Sequence, residues 1–497
     1  MLQPPILVMS GDRQPPPVTI QWPLATDRTF EPAGSASTQR GKERMGAHAD
    51  SWRRQGGPLR VPWGASATLD LNLPDEWKVI GVLDPKPVPP AAAPEAAIAE
   101  AISAPIGCPP LREMARGAKS AAIVVDDTSR PTPAHLMLPH VMTELLAAGV
   151  PAQGIKLVTA LGTHRPMSPS DMAAKVGARW SETLAWENHD STDPARNVYL
   201  GMTRRRTPVY VNATVADADI VVLLGTIEPH VIASFGGGYK NLIPGVAGAR
   251  TISATHTLNL TNSTYDMAGT PPDQNPMRID LEEGSQMLRK PVFIVNSVLD
   301  ASLQLVRAVA GHPIAAHREG AVTSAEICGV PVPSAADIVI AASFPMDLDF
   351  RQGLKALANS IRAVRPGGLM INLIRAEEGV GHMQDGRKRP PGLRTLKLLA
   401  PLLLKAIPRR TSGESGEEFK FFQYFALQTI RRHSVLVYAP NVPREFATAF
   451  PVAHFCWSLD ALWRAAQKRL PGKADVLIAP AGGVTFPILA RSAPQTA

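Results

Sequence analysis

The sequence predicts an α/β protein: two Rossmann-like α/β domains with an interdomain active-site cleft. Three observations carry this expectation. Short apolar runs alternate with helical patterns, as in parallel sheets joined by helical crossovers. The alternation occurs twice, once between about residues 120 and 300 and again from about 330. The polar clusters of the first series follow strand-like runs directly, at the edge where open α/β sheets bind ligands.

Taken in order, residues 1–58 are rich in Pro, Gly, Arg and Ser without a period, and are expected to form a disordered N-terminal extension. They lack the continuous apolar centre of a secretory signal, and Met45 is an alternative start. An N-terminal α/β domain is expected over 59–325. VPWGASATLDLNLP alternates like a strand pair, and SAAIVVDD, KLVTALG, ADIVVLLG and PVFIVNSVLD read as buried strands. PAHLMLPHVMTELLAAG reads as a helix closed by Gly149. A C-terminal α/β domain is expected over 326–497, with strands ADIVIAASFP, LMINLI, SVLVYAP and ADVLIAPAGG. Its helices are FRQGLKALANSIRAV, stopped by Pro366-Gly367-Gly368, and DALWRAAQKRL, with a basic insertion near 385–415.

A chain of 497 residues exceeds one compact core. Cys108, Cys328 and Cys456 are scattered and form neither a metal-type pair nor a disulfide framework, so a cytoplasmic setting is expected. The net charge is +8, and residues 387–410 alone hold eight Lys and Arg and no acid. The remainder is near neutral, which argues against a nucleic-acid binder with a basic face. Within that segment LKLLAPLLLKAIP reads either as a membrane-surface helix or as a helical insertion packed on the domain. The packed helix is the expectation.

Chemistry gathers at the strand ends. AAIVV is followed by DDTSRPTP, with Asp126, Asp127, Thr128 and Arg130; KLVTAL by GTHRP, with His164; DIVVLL by GTIEPH, with His230. Then come Gly236-Gly237-Gly238, Lys240, and His256 in TISATH. Each has a plain structural alternative: Asp127 or Thr128 as a helix cap, His164 and His256 as satisfied histidines, the glycines as a turn needing positive φ. Their recurrence on one sheet edge favours a site. The glycine stretch is neither a Walker A loop nor a G-x-G-x-x-G fingerprint. A bare backbone can still donate to a phosphate, and a lysine beside it can pair with that phosphate or bond covalently to a cofactor. Histidines also suit nickel, zinc or copper, though no H-E-x-x-H is present.

Together these pieces, with ENHD at 187–190, TPVYVN and DFRQGLKAL at 349–357, resemble the lactate racemase family that uses a nickel-pincer nucleotide. The likeness spans roughly residues 60–497 and is most specific over 120–260. It implies an isomerase that racemises or epimerises 2-hydroxy acids by reversible hydride transfer. Alternatives are an aldonate 2-epimerase and a non-catalytic nickel-cofactor binding protein; a zinc hydrolase is the reading from another class. The resemblance implies that Lys240 carries the cofactor covalently, that His256 ligates nickel, and that His164 and His230 are the acid/base pair. Asp127, Thr128, Arg130, Gly236, Gly237 and Gly238 would hold the nucleotide. Arg130, Arg351, Gln352 and Lys355 would meet the substrate or the cofactor phosphate. Cofactor-biosynthesis proteins would be partners. The chain departs from the family in the run Arg204-Arg205-Arg206 and in Arg351, where the lactate enzyme has an aromatic residue. An arginine there suits a second carboxylate or a larger polyol acid.

Overall fold

A computed structural model describes residues 59–64, 67–261, 266–381, 391–407, 419–450 and 452–489. The expected N-terminal extension, Met45 and both ends of the basic insertion lie outside these residues.

Two six-stranded sheets organise the chain. The first runs, in spatial order, Leu305–Gly311, Val292–Leu299, Ile220–Thr226, Ala121–Asp126, Ile155–Ala160 and Ala185–Asn188. All neighbours are parallel except the edge strand Leu305–Gly311, which is antiparallel to Val292–Leu299. Every residue of Ile220–Thr226 and Val292–Leu299 is buried, which is why these strands read as nearly unbroken apolar runs. The second sheet, entirely parallel, runs His454–Cys456, Ser434–Tyr438, Val364–Leu373, Ala336–Ala342, Ala474–Ala479 and Trp77–Val82. One core cluster includes Val221 and Leu223 of the first sheet with Val339 and Ala341 of the second.

Two expectations change. The unit expected to begin at residue 59 gives its first strands to the other sheet: Trp77–Val82 pairs with Ala474–Ala479. The hairpin Leu59–Trp63 and Ala67–Leu71 buries Val61 and Leu71 with Ile338 and Ile340. A short strand carries no mark of which sheet it will join; that is settled by long-range packing. The helix expected over 350–364 ends at Ser360, and Pro366 and Gly367 instead sit in the exposed start of the strand Val364–Leu373. Proline is tolerated there because the register slips opposite Ala336 and Ile338, where no ladder donor is needed.

The helix Phe350–Ser360 positions part of the site. Asp349 caps it, its Oδ1 accepting from the Gln352 N–H at 2.8 Å. Phe350 is buried against Phe446, Phe450 and Phe455. That anchor leaves Arg351, Gln352 and Lys355 in the first turns to line the cavity described below.

Leu83 follows the transferred strand and is fully buried, its N–H donating to the Ile478 carbonyl at 2.6 Å. Leu83→Ala is expected to destabilise the protein by about 2–5 kcal/mol, read from the urea unfolding midpoint. A change within about 0.5 kcal/mol, the range of surface substitutions, would contradict this placement.

Candidate active site

A cavity of about 180 Å³ opens at the carboxyl ends of Ala121–Asp126, Ile155–Ala160 and Ile220–Thr226, faced by the helix Phe350–Ser360. The expected residues Asp127, Arg130, His164, His230, Gly236, Gly237, Lys240, His256, Arg351, Gln352 and Lys355 line it. Thr128 and Gly238 do not: Thr128 is exposed, and Gly238 turns toward His317.

The two candidate acid/base histidines have different partners. His164 Nδ1 meets Asp127 Oδ2 in a short hydrogen bond. Asp127 Oδ1 in turn accepts from the Ser129 N–H at 3.0 Å. With Nδ1–H donating to a carboxylate, Nε2 of His164 keeps its lone pair. Burial raises the Asp127 carboxyl, but the His164, Ser129 and Arg130 contacts outweigh it and hold the carboxyl well below its ordinary range. Burial lowers His164 despite Asp127, so its imidazole is neutral at pH 7. His230 Nδ1 instead accepts backbone N–H bonds from Ile232 and Ala233 at 3.3 and 3.2 Å. Its neutral form therefore carries the proton on Nε2. Burial, then the Lys240 and Arg130 charges, push His230 well below its usual value.

His256 lies in the last turn of the helix Ala249–Thr257, and its Nδ1 meets the Ile252 carbonyl at 2.8 Å. That leaves Nε2 as a free lone pair. Burial takes this imidazole down to about 4. Lys240 sits in the short turn Gly238–Asn241. Burial, then the Arg130 and Arg278 guanidiniums, push its amine well below the ordinary lysine value. A neutral amine is the nucleophilic form.

The glycines have a specific steric reason. A Cβ on Gly236 would stand 2.7 Å from the Thr226 carbonyl oxygen, and one on Gly237, at φ +68°, 2.7 Å from Asn296 Oδ1. Gly238, at φ +59°, would collide with the His317 ring. The expectation of a phosphate-donating backbone is only partly met. The Gly236 N–H already donates to the Glu228 carbonyl at 2.7 Å and the Gly238 N–H to Asn296 Oδ1 at 2.7 Å.

Residues not singled out from the sequence complete the site. Glu228 Oε1 pairs with Arg130 at 2.7 Å and Lys355 at 3.4 Å. Burial raises this carboxyl, but the two cations outweigh it and keep it ionised; burial takes Lys355 down to about 8. Lys175 Nζ binds Asp126 Oδ1 at 2.6 Å and the carbonyls of Asp127 and Arg130 at 3.0 and 2.9 Å, bracing that loop. Arg278, fully buried, donates to the carbonyls of Ala233, Phe235 and Gly237. Glu228 adjoins Pro229-His230 and was findable as an acid in a strand-end motif. Arg278 was not: in PMRIDLEEG it reads as one charge on a solvated helix.

Comparison with known proteins follows this geometry. The lactate racemase N-terminal domain family matches residues 64–268. Lactate racemase of Thermoanaerobacterium thermosaccharolyticum is 31% identical over 332 residues, covering 66% of this chain and 76% of that one. The chain belongs to the lactate racemase family. Lactate racemase of Lactiplantibacillus plantarum is 30% identical over 286 residues, 57% of this chain and 66% of that one. The structure of the lactate racemase apoprotein from T. thermosaccharolyticum superposes with a TM-score of 0.76 at 26% identity, covering 87% of this chain and all of that one. A Thermotoga maritima protein shares the fold, with a TM-score of 0.59 at 17% identity, covering 80% of this chain and 98% of that one.

The residues of this family member fit the nickel-pincer nucleotide. Nε2 of His256 is a lone pair fixed by a carbonyl bond at Nδ1, the arrangement of a metal-binding imidazole. Burial, then the Arg130 and Arg278 charges, shift the Lys240 amine toward the neutral form that covalent attachment needs. Among the described residues no three His, Cys, Asp or Glu side chains gather as a metal cluster.

Two outcomes follow. Asp127→Asn removes the carboxylate that favours the His164 cation, so the His164 midpoint in an NMR titration is expected to fall; an unmoved midpoint would disconnect the pair. In apoprotein, Lys240 is expected to be methylated by an aldehyde and cyanoborohydride at neutral pH before the surface lysines, followed by peptide mass mapping. Labelling only at the pH where surface lysines react would contradict a depressed amine.

Proposed function

We propose that this enzyme racemises or epimerises a 2-hydroxy acid, the C2 hydrogen leaving and returning as hydride. Family membership supports the coarser part, an isomerase acting on hydroxy acids. The finer part rests on one observation: His164, His230, Lys240 and His256 line a single cavity.

Hydride transfer answers a chemical difficulty. A C–H beside a carboxylate is a very weak acid, and pulling off its proton leaves an unstable carbanion. Loss of hydride together with the hydroxyl proton leaves a planar 2-oxo acid, and hydride returning to either face gives either configuration. When bound at Lys240 and His256, the nickel-pincer nucleotide supplies the hydride acceptor and donor.

The chain's own residues handle the proton and the charge. Nε2 of His164 takes the hydroxyl proton, and Asp127 stabilises the imidazolium that results. His230 serves the opposite face, presenting Nε2–H to the substrate oxygen. To give up that proton without leaving an imidazolate, the ring must first be protonated at Nδ1, which releases the N–H bonds that Ile232 and Ala233 make there. Arg130 and Lys355, held by Glu228, receive the carboxylate. Asp127, Gly236 and Gly237 support the nucleotide side, which cofactor-biosynthesis proteins would load. Arg351 adds a further cation to the cavity wall. It favours a hydroxy acid with a second carboxylate or a polyol chain, of which the aldonates are one class. A mere cofactor carrier needs only Lys240 and His256, so the His164–Asp127 pair supports an enzyme.

The test is chiral chromatography with cofactor-loaded protein on a panel of monocarboxylic, dicarboxylic and polyol 2-hydroxy acids. His164→Ala and His230→Ala are each expected to slow turnover about 10²–10⁴-fold. Full activity in both variants would refute the assignment. Turnover of lactate alone would refute the role given to Arg351.

A further inference from the structure

The helix Leu393–Ala406 carries more leucine than its packing uses. Leu396, Ala400 and Leu404 form one buried stripe at four-residue spacing, in the same core cluster as Phe421, Tyr424 and Phe425 of the neighbouring helix Phe419–Arg432. That contact realises the packed insertion expected from the sequence. The outward side is apolar as well: Leu398 is 80% exposed, Leu402 67% and Leu399 38%. Arg394, Lys397 and Lys405 are exposed around them. Arg394, Leu398 and Leu402 follow one another at helical spacing, and Lys405 closes the row, so two leucines lie between two cations on one face. Single exposed leucines are ordinary on proteins, whereas a row of them bounded by cations is not.

We propose that this outward face docks on an anionic lipid surface, with the helix lying in the plane of the interface. Charge selects the occupant. No acid occurs anywhere in residues 387–410, so the helix brings no carboxylate of its own to its cations. A second copy docking through the same patch would set these cations against themselves. An anionic headgroup layer satisfies them, while the leucines reach the acyl boundary and the Lys and Arg stems extend back to the phosphates. Fourteen residues make a helix of about 21 Å, too short for the roughly 30 Å hydrocarbon core, and no described helix is long and apolar enough to cross a membrane. The helix therefore lies on the surface. Its packing partner Phe419–Arg432 carries Phe422, which lines the catalytic cavity and is 44% exposed, so the docked face lies one helix away from the site.

The test uses the full chain in vesicle sedimentation, comparing pure phosphatidylcholine with phosphatidylcholine containing phosphatidylglycerol, at low and near-molar salt. Binding is expected on the anionic vesicles only, falling at least about tenfold at high salt, where the Debye length shrinks to about 3 Å. Leu398→Ser/Leu402→Ser, which retains every cation, is expected to lose about tenfold in binding, as about 1.4 kcal/mol of lost leucine burial would give. Both leucines are exposed, so the variant's thermal midpoint is expected to match the parent. Equal binding to both vesicle types, or none to either, overturns the proposal. So does a dimer by light scattering that the serine variant dissociates, which would make a second copy the occupant. The readout is independent of cofactor and turnover.

Discussion

Glu228 is the contact on which the geometry of the site depends. Its carboxylate is buried at the end of a first-sheet strand, yet it accepts from Arg130 of a neighbouring loop and from Lys355 of the helix that flanks the second sheet. A buried carboxylate is tolerable only when paired, and removing one partner leaves an uncompensated charge. The two walls of the cavity are thus held in one relative position by a charge that cannot afford to lose either side. The cations that would receive a substrate carboxylate are fixed by the same bond.

Behind the segment from residue 230 to 240 a second set of contacts acts on the backbone. Arg278 takes three carbonyls, His317 Nε2 meets the Gly236 carbonyl at 2.9 Å, and Asn275 and Asn259 both donate to Ile232. These bonds hold the segment from His230 to Lys240 from its buried side and leave its reactive side chains toward the cavity. The guanidinium of Arg278 has a further electrostatic effect. Together with burial and Arg130 it disfavours a charged Lys240, so the clamp that shapes the loop also shifts its amine toward the neutral form. Burial likewise keeps His164, His230 and His256 uncharged, and hydrogen-bond partners then decide which ring nitrogen of each is available.

Much of this was legible in the sequence because buried parallel strands must be apolar throughout. Runs such as Ile220–Thr226 therefore announce themselves, and polar residues just after them fall at the ligand-binding edge. His164 and His230 were found in that way; Lys240 and His256, further along the chain, stood out with them through the family resemblance. What stayed hidden depends on distant partners. Trp77–Val82 gives no sign that it will pair with Ala474–Ala479, nearly the whole chain away. Arg278 and Lys175 look like solvated helix charges until the carbonyls and the carboxylate they serve are seen. The glycine triplet suggested an anion cradle, but two of its N–H groups are already committed and its main constraint is steric. The inequality of His164 and His230 is likewise a matter of partners, not of residue type.

The hydrogen on C2 is proposed to move with its electron pair, inside a cavity whose imidazoles handle only the hydroxyl proton. The direct measurement is racemisation, in ordinary water, of a substrate deuterated at C2, followed by mass spectrometry of the opposite enantiomer or epimer. Retention of deuterium in the product is the result this account predicts. Deuterium lost to solvent as fast as configuration is lost would mean that C2 is deprotonated, and would contradict it.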